Sequence, residues 1–254
     1  MSVVIVTGGT FGLGQSITVE LARRGHQVVA FGLAQRQVSS TAGGMATTSA
    51  GGLKVTNSGS IQAMARGAVG IDAEGADLVI VNAGTIAANG IDNQEYHAGS
   101  VSGIVAGASS GGSIEITTLE GSSITADGQI YASGIIAFGG DDIRIDNAGD
   151  ISVVDDFDPD SVDFFSFGGS YGIRAGYNTH AEIDNSGDIT VDVTVGPATG
   201  ISAGGLSGVD VVNDGTIDVY SDGVRRSINP TDVYGIPAYS SQDATVVNNG
   251  DIAA

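Results

Sequence analysis

From residue 53 onward, apolar side chains fall on alternate positions around a recurring Asn-x-Gly. Positions minus four and minus two from each Asn hold Leu53 and Val55, Leu78 and Ile80, Ile143 and Ile145, Ala181 and Ile183, Val209 and Val211, and Ala244 and Val246. Plus four is isoleucine in all six clear copies: Ile61, Ile86, Ile151, Ile189, Ile217 and Ile252. Plus six is Ala63, Ala88, Val153, Val191, Val219 or Ala254, and a degenerate copy lies near Leu119 and Ile124. The positions between vary freely, with Arg144, Asp146, Asp150 and Ser152 in one copy and Glu182, Asp184, Asp188 and Thr190 in another. A fixed inner set and a variable outer set at period two predict half-buried strands.

A second signature, Gly-Ile-x-Ala, recurs at Gly70, Gly103, Gly134, Gly172, Gly200 and Gly235. Each repeat thus contributes three short strands and three bends, which describes one coil of a solenoid. The predicted fold is mainly β: a right-handed parallel β-helix of six or seven coils, with the Asn residues aligned and the plus-four isoleucines in one internal column. Gly and Asn at the bends are read as residues that tolerate positive φ. A narrow bore filled by small and branched residues also accounts for the absence of Trp and the 6% aromatic content.

The spacing between repeats predicts a long excursion at every second coil, over residues 89–102, 154–170 and 220–233. If the coils stack in register, all three leave one edge. They hold Tyr96 and His97, Phe157, Phe164, Phe165 and Phe167, and Tyr220, Arg225 and Arg226. Tyr96, Phe164, Phe165, Phe167, Arg225 and Arg226 are therefore the candidate partner-binding loop residues, for a carbohydrate or a protein surface. The alternative is that the phenylalanines pin the loops to the barrel.

Twenty-nine acidic against nine basic residues give a net charge of −20, which repels nucleic acid and anionic lipid. Asp156, Asp158 and Asp160 alternate like calcium ligands, but Ser161 and Phe167 stand where an EF-hand loop needs Gly and Glu. A solvated acidic loop is the default reading. His26, His97 and His180 are too scattered to suggest a metal site. No apolar run is long enough to span a bilayer, and residues 1–10 lack the features of a signal peptide.

The opening residues follow another pattern. Val3 to Val6 form an apolar run, Thr7-Gly8-Gly9-Thr10-Phe11-Gly12-Leu13-Gly14 follows, Leu13, Ile17 and Leu21 sit at helical spacing, and Val28 to Phe31 read as a second strand. This resembles the Rossmann βαβ opening of the short-chain dehydrogenase/reductase family, with Thr-Gly-x-x-x-Gly-x-Gly as its turn. The resemblance implies NAD(P) binding through Gly8, Thr10, Gly12 and Gly14, with the pyrophosphate on the helix N-terminus. Gly32 and Leu33 stand where NAD-selective members carry an acidic residue, while Arg36 would suit a 2′-phosphate. The family's Tyr-x-x-x-Lys is absent, because the sole lysine, Lys54, follows Ala50 at that spacing. The expected organisation is a Rossmann-like fragment or cap over 1–40, a junction over 41–52 and β-helix repeats over 53–254.

Residues 53–254 resemble the passenger repeats of Gram-negative autotransporters and haemagglutinin-like secreted proteins. That resemblance implies a non-enzymatic adhesive or structural domain, at the cell surface or secreted, within a longer chain and without direct membrane insertion. One alternative is a cytoplasmic dehydrogenase fragment whose catalytic Tyr and Lys lie outside this chain. A second is a polysaccharide-active β-helix enzyme, for which Arg144, Arg174 and His180 are not visibly clustered.

Overall fold

Alternate side chains along each strand point into one continuous core, and this is what winds the chain into coils. The computed structural model describes residues 3–7, 27–31, 41–91, 99–129, 131–156, 169–194, 196–222 and 232–254, with side chains from residue 44 onward. β1 (Val3–Thr7) and β2 (Gln27–Phe31) come first. The first coil holds β3 (Thr41–Thr48), β4 (Leu53–Asn57) and β5 (Ser60–Ala65), and the second β6 (Gly67–Asn82) and β7 (Thr85–Gly90). The third holds β8 (Val101–Thr118) and β9 (Ser123–Gly128), and the fourth β10 (Ala132–Gly139), β11 (Asp142–Asn147) and β12 (Asp150–Asp155). The fifth holds β13 (Ser170–Asn185) and β14 (Ile189–Val193), and the sixth β15 (Ala198–Asn213) and β16 (Thr216–Ser221). β17 (Val233–Tyr234), β18 (Ala238–Ser240), β19 (Asp243–Asn248) and β20 (Asp251–Ala253) make the seventh.

Every pairing between successive coils is parallel, in an 11-stranded and a 7-stranded sheet. The coils present three faces. The Gly-Ile-x-Ala strands make the first, the strands ending in Asn make the second, and the strands that follow Asn-x-Gly make the third. Ile61, Ile86, Ile124, Ile151, Ile189, Ile217 and Ile252 stack as one column of the third face, as the constant offset from Asn predicts. Met45, Ile71, Ile104, Ile135, Ile173 and Ile201 form the matching column of the first face. Apart from Ile252, these side chains are buried in a single core. Each fully buried isoleucine contributes roughly 2–3 kcal/mol of hydrophobic stabilisation before the entropy of ordering is set against it. Val246 and Ile252, in the seventh coil, are 45% and 39% exposed, because no described coil covers them.

The expected junction over 41–52 is largely solenoid. β3 pairs in register with β6, Met45 beside Ile71 and Thr47 beside Ala73, so the first coil begins at Thr41 rather than residue 53. Gly44-Met45-Ala46-Thr47 is a Gly-Ile-x-Ala copy with both apolar positions changed, which hid it. Of the expected Rossmann-like piece, the described residues hold two strands. β1 and β2 pair in parallel, Val3 with Gln27 through Thr7 with Phe31, and β2 runs beside β4. No further strand joins this pair among the described residues, and no helix long and apolar enough to cross a membrane occurs among them.

The repeat glycines serve a purpose other than positive φ. Among the described residues, glycines with positive φ are Gly111, Gly121, Gly139, Gly140 and Gly196, none of them in an Asn-x-Gly or Gly-Ile-x-Ala motif. Space is the cause instead. A Cβ on Gly187 would lie 2.1 Å from the Gly149 carbonyl oxygen, and one on Gly215 would lie 2.1 Å from that of Gly187. Successive Asn-x-Gly bends therefore nest backbone on backbone.

Candidate functional site

The coils are locked in register by a buried polar ladder. Asn57, Asn82, Thr118, Asn147, Asn185, Asn213 and Asn248 stand one above another. The amide nitrogen of Asn147 donates to Asn185 Oδ1 at 2.6 Å, that of Asn185 to Asn213 Oδ1 at 2.7 Å, and that of Asn213 to Asn248 Oδ1 at 2.8 Å. The same nitrogens also donate to the carbonyls of Gly149, Gly187 and Gly215, each two residues on, which fixes the bend. Thr118 replaces Asn in the third coil, and its hydroxyl donates to Asn147 Oδ1. This ladder sets which outer residues become neighbours.

On the second face it gathers acids around one cation. Arg144 pairs with Asp146 at 2.9 Å, with Asp184 at 3.1 Å and with Glu182. Its guanidinium is held further into its charged form by hydrogen bonds to Asp146 and then Glu182. Burial raises the Asp184 carboxyl above its ordinary range against the attraction of Arg144. His180 lies 3.2 Å from Asp210 along the same face. This cluster is self-satisfied and strongly acidic.

The first face has a different character. A shallow groove of about 630 Å³ runs along it, with Ile136, Phe138, Tyr171, Arg174, Tyr177, Pro197, Thr199, Ser202, Tyr234, Pro237 and Tyr239 among its lining residues. Register places its parts in order. Tyr171, Thr199 and Tyr234 are successive neighbours at the start of the face, and Ile136, Arg174 and Ser202 are successive neighbours in the middle. Phe138 neighbours Gly176, and Gly204 neighbours Tyr239, so two glycines lie between two aromatic walls. A Cβ on Gly176 would meet nothing within 4 Å, which makes that floor open space.

Four of the seven tyrosines line this groove, with Tyr177, Tyr239 and Tyr234 exposed by 86%, 63% and 45%. The Arg174 guanidinium sits over the Tyr171 ring, 4.8 Å from its centroid. Tyr234 donates its hydroxyl to Asp232 at 3.1 Å, which orients the ring and pushes the phenol pKa up. Tyr177 is held at φ 60°, a conformation uncommon for a bulky residue. A second trough, lined by Thr48, Glu74, Gly107, Ser109 and Phe138, continues from the first across Phe138.

This groove is not legible in the repeat pattern, whose outer positions vary from copy to copy. The available signal was tyrosine immediately before Gly-Ile at Tyr171 and Tyr234, and an aromatic residue immediately after the Ala at Phe138 and Tyr239. The three excursions do leave a common corner, where Ala65 neighbours Gly90, Gly128 neighbours Asp155, and Val193 neighbours both Asp155 and Ser221. Asp155 ties the second one at its base by accepting from the Ser170 hydroxyl at 2.8 Å and the Tyr131 amide at 3.2 Å. Two of the excursions return one or two residues before Tyr171 and Tyr234, so they border the groove. Tyr96, Phe164, Phe165, Phe167, Arg225 and Arg226 themselves lie outside the described residues, as do Gly8, Thr10, Gly12, Gly14, Asp158 and Asp160. Asp156 is exposed, and its charge, after burial, helps raise the Asp127 carboxyl. Among the described residues, no three His or carboxylate side chains are grouped to hold a metal.

Stacked parallel coils with three faces define the chain as a parallel β-helix. The family model described as the BigA third pectate lyase-like domain matches residues 7–251, and the chain belongs to that family. The match begins at Thr7 and so takes in most of the stretch that resembles a dehydrogenase opening. The chain matches no curated protein and no solved structure.

Proposed function

We propose that this chain is a non-enzymatic β-helix domain of a larger surface protein, and that it holds a partner in the groove of its first face. The observation that carries this is the concentration of exposed tyrosines around Arg174 on a chain otherwise poor in aromatics and rich in acid. Exposed aromatic groups on a rigid sheet lose little conformational entropy when they are covered, which suits a binding surface. The buried Asn ladder supports the rigidity. The family's description as a third domain supports a place among several domains in one protein. Surface placement follows from the resemblance to autotransporter passengers and from an acidic flank that favours solubility. Phe164, Phe165, Phe167, Arg225 and Arg226, on the excursions whose chains return just before Tyr171 and Tyr234, are proposed as further partner residues. The stretch that holds β1 and β2 is proposed to cap the first coil, a reading supported by β2 lying beside β4.

Adhesion of beads coated with the purified chain to a panel of cell types and matrix preparations tests the proposal. Replacing Tyr171, Tyr234 and Tyr239 together with Ala is expected to abolish adhesion and leave the melting temperature nearly unchanged. Replacing Phe164, Phe165 and Arg225 with Ser is expected to weaken it. Undiminished adhesion by the tyrosine triple variant would contradict the proposal.

A further inference from the structure

The groove constrains the chemistry of what fills it. It crosses the strands of four coils in the coil-to-coil direction, from Ile136 in the fourth to Tyr239 in the seventh. The backbone N–H and C=O groups of the first face point along that same direction and are consumed by the parallel pairings of successive coils. Across the fourth to sixth coils an extended peptide lying in the groove finds no free strand edge to join, and among the described strands of the groove only β17 and β18, at the seventh coil, keep an unpaired edge. Recognition must come from side chains, and these are aromatic faces interspersed with hydroxyls and one cation.

Flat rings beside hydroxyl groups suit a pyranose, which presents C–H bonds on one face and hydroxyls around its rim. Tyr171 and Tyr234 are neighbours of the same residue, Thr199, on opposite sides, so they stand two coil steps, about 10 Å, apart. That separation places two stacking platforms under one oligosaccharide, with the buried Thr199 spacing them and the half-buried Ser202 on the same coil as a hydrogen-bonding group.

Charge narrows the class further. The chain carries 29 acidic residues, yet no Asp or Glu lines this groove among the described residues, and Arg174 is its one charged side chain. Arg174 stacks on Tyr171 and makes no ion pair among the described residues, which leaves the fork of its guanidinium available to a carboxylate. A polymer with a carboxylate on every unit would meet one cation and the field of a net charge of −20. A single carboxylate avoids most of that repulsion.

We infer that the groove binds a glycan with an isolated carboxylate, its sugar rings on Tyr171 and Tyr234 and its carboxylate on Arg174. This rests on reading the groove as the domain's binding surface.

The test is a calorimetric titration of the whole chain with sialyllactose, with lactose and with a trimer of galacturonate, backed by the bead adhesion assay. Sialyllactose is expected to bind best. Arg174→Ala is expected to weaken it about tenfold, to the level of lactose, with Arg174→Lys recovering part of the loss. Tyr234→Ala is expected to weaken sialyllactose and lactose alike. Equal affinity for all three saccharides, stronger binding of the galacturonate trimer, or indifference to Arg174→Ala would each overturn the assignment. If no saccharide binds while bead adhesion still depends on Tyr171 and Tyr234, the glycan assignment fails and the binding groove stands. If the beads do not adhere either, both fail.

Discussion

The Cβ that Gly172 lacks would lie 2.3 Å from Cγ2 of Ile189, on the opposite wall of the same coil. The same closeness relates Gly70 to Ile86, Gly134 to Ile151 and Gly200 to Ile217. Gly-Ile-x-Ala and the isoleucine after Asn-x-Gly are therefore two halves of one contact, and the bore is as narrow as an isoleucine against bare backbone. Gly172→Ala is expected to destabilise the chain by about 1–3 kcal/mol through overpacking. Ile189→Ala alone leaves a cavity, but the double variant should cost less than the sum of the two, since each change relieves part of the other. The 2.6 Å approach of the added Cβ to the Gly200 carbonyl oxygen stays. Chemical denaturation of the three variants measures this, and strict additivity would count against a direct contact.

Asn185 donates to Gly187 O at 2.9 Å and to Asn213 Oδ1 at 2.7 Å, and accepts from Asn147 at 2.6 Å, all in a buried setting. Asn185→Ala strands those partners away from water and is expected to cost about 2–4 kcal/mol. Asn248→Ala, at the exposed end of the same ladder, should cost less than about 1 kcal/mol, because water replaces what is lost. Equal losses at the two positions would show that the ladder does not contribute through buried hydrogen bonds.

The inner columns were legible in the sequence because isoleucine keeps one offset from Asn in copy after copy, and only a strand of period two makes that offset meaningful. Legible, too, were the alignment of the asparagines and the common corner of the long excursions. The role of the glycines was not. Conformational freedom and lack of space select the same residue, and only the neighbouring coil distinguishes them, as Gly59 does beneath Gly84. The start of the solenoid was obscured by Met45 and Thr47 in place of Ile and Ala. Tyr171, Arg174 and Tyr234 passed unnoticed as a set because they are far apart in the chain and meet only through register.

Burial, followed by the charge of Glu74, raises the Asp72 carboxyl above its ordinary value of 3.8. Asp127 and Asp184 are raised as well, with burial again the largest cause. A carboxyl whose pKa is higher in the folded state binds its proton more readily there, so folding is favoured as pH falls toward the raised value. The stabilisation is complete below the unfolded value and is lost as pH rises through the folded one. The melting temperature is therefore expected to climb as pH is lowered from neutral to just above the ordinary carboxylate range. Arg144→Ala removes the attraction that holds Asp184 down and should steepen the climb. A melting temperature that falls steadily from neutrality through this window would contradict the assignment.

Tyr177 is 86% exposed at φ 60°, a combination that gives the fold nothing and costs backbone strain. Tyr177→Gly relieves the strain while adding chain entropy to the unfolded state, so stability should stay level or rise by at most about 1 kcal/mol. Adhesion should weaken in the same variant. A loss of stability together with unchanged adhesion would make Tyr177 a structural residue.

Coil register brings Tyr171, Thr199 and Tyr234 side by side on one face, and the binding groove depends on it. The chain has no cysteine, so engineered pairs report register without interference. Registered neighbours on adjacent parallel strands stand about 4.8 Å apart, within reach of a disulfide. Tyr171→Cys with Thr199→Cys, and Thr199→Cys with Tyr234→Cys, are each expected to oxidise to an intramolecular disulfide under mild conditions, read by mass spectrometry. Tyr171→Cys with Ser202→Cys, offset by three residues, should remain reduced. Ready cross-linking of the offset pair, or none in the two registered pairs, would contradict the stacked-coil groove.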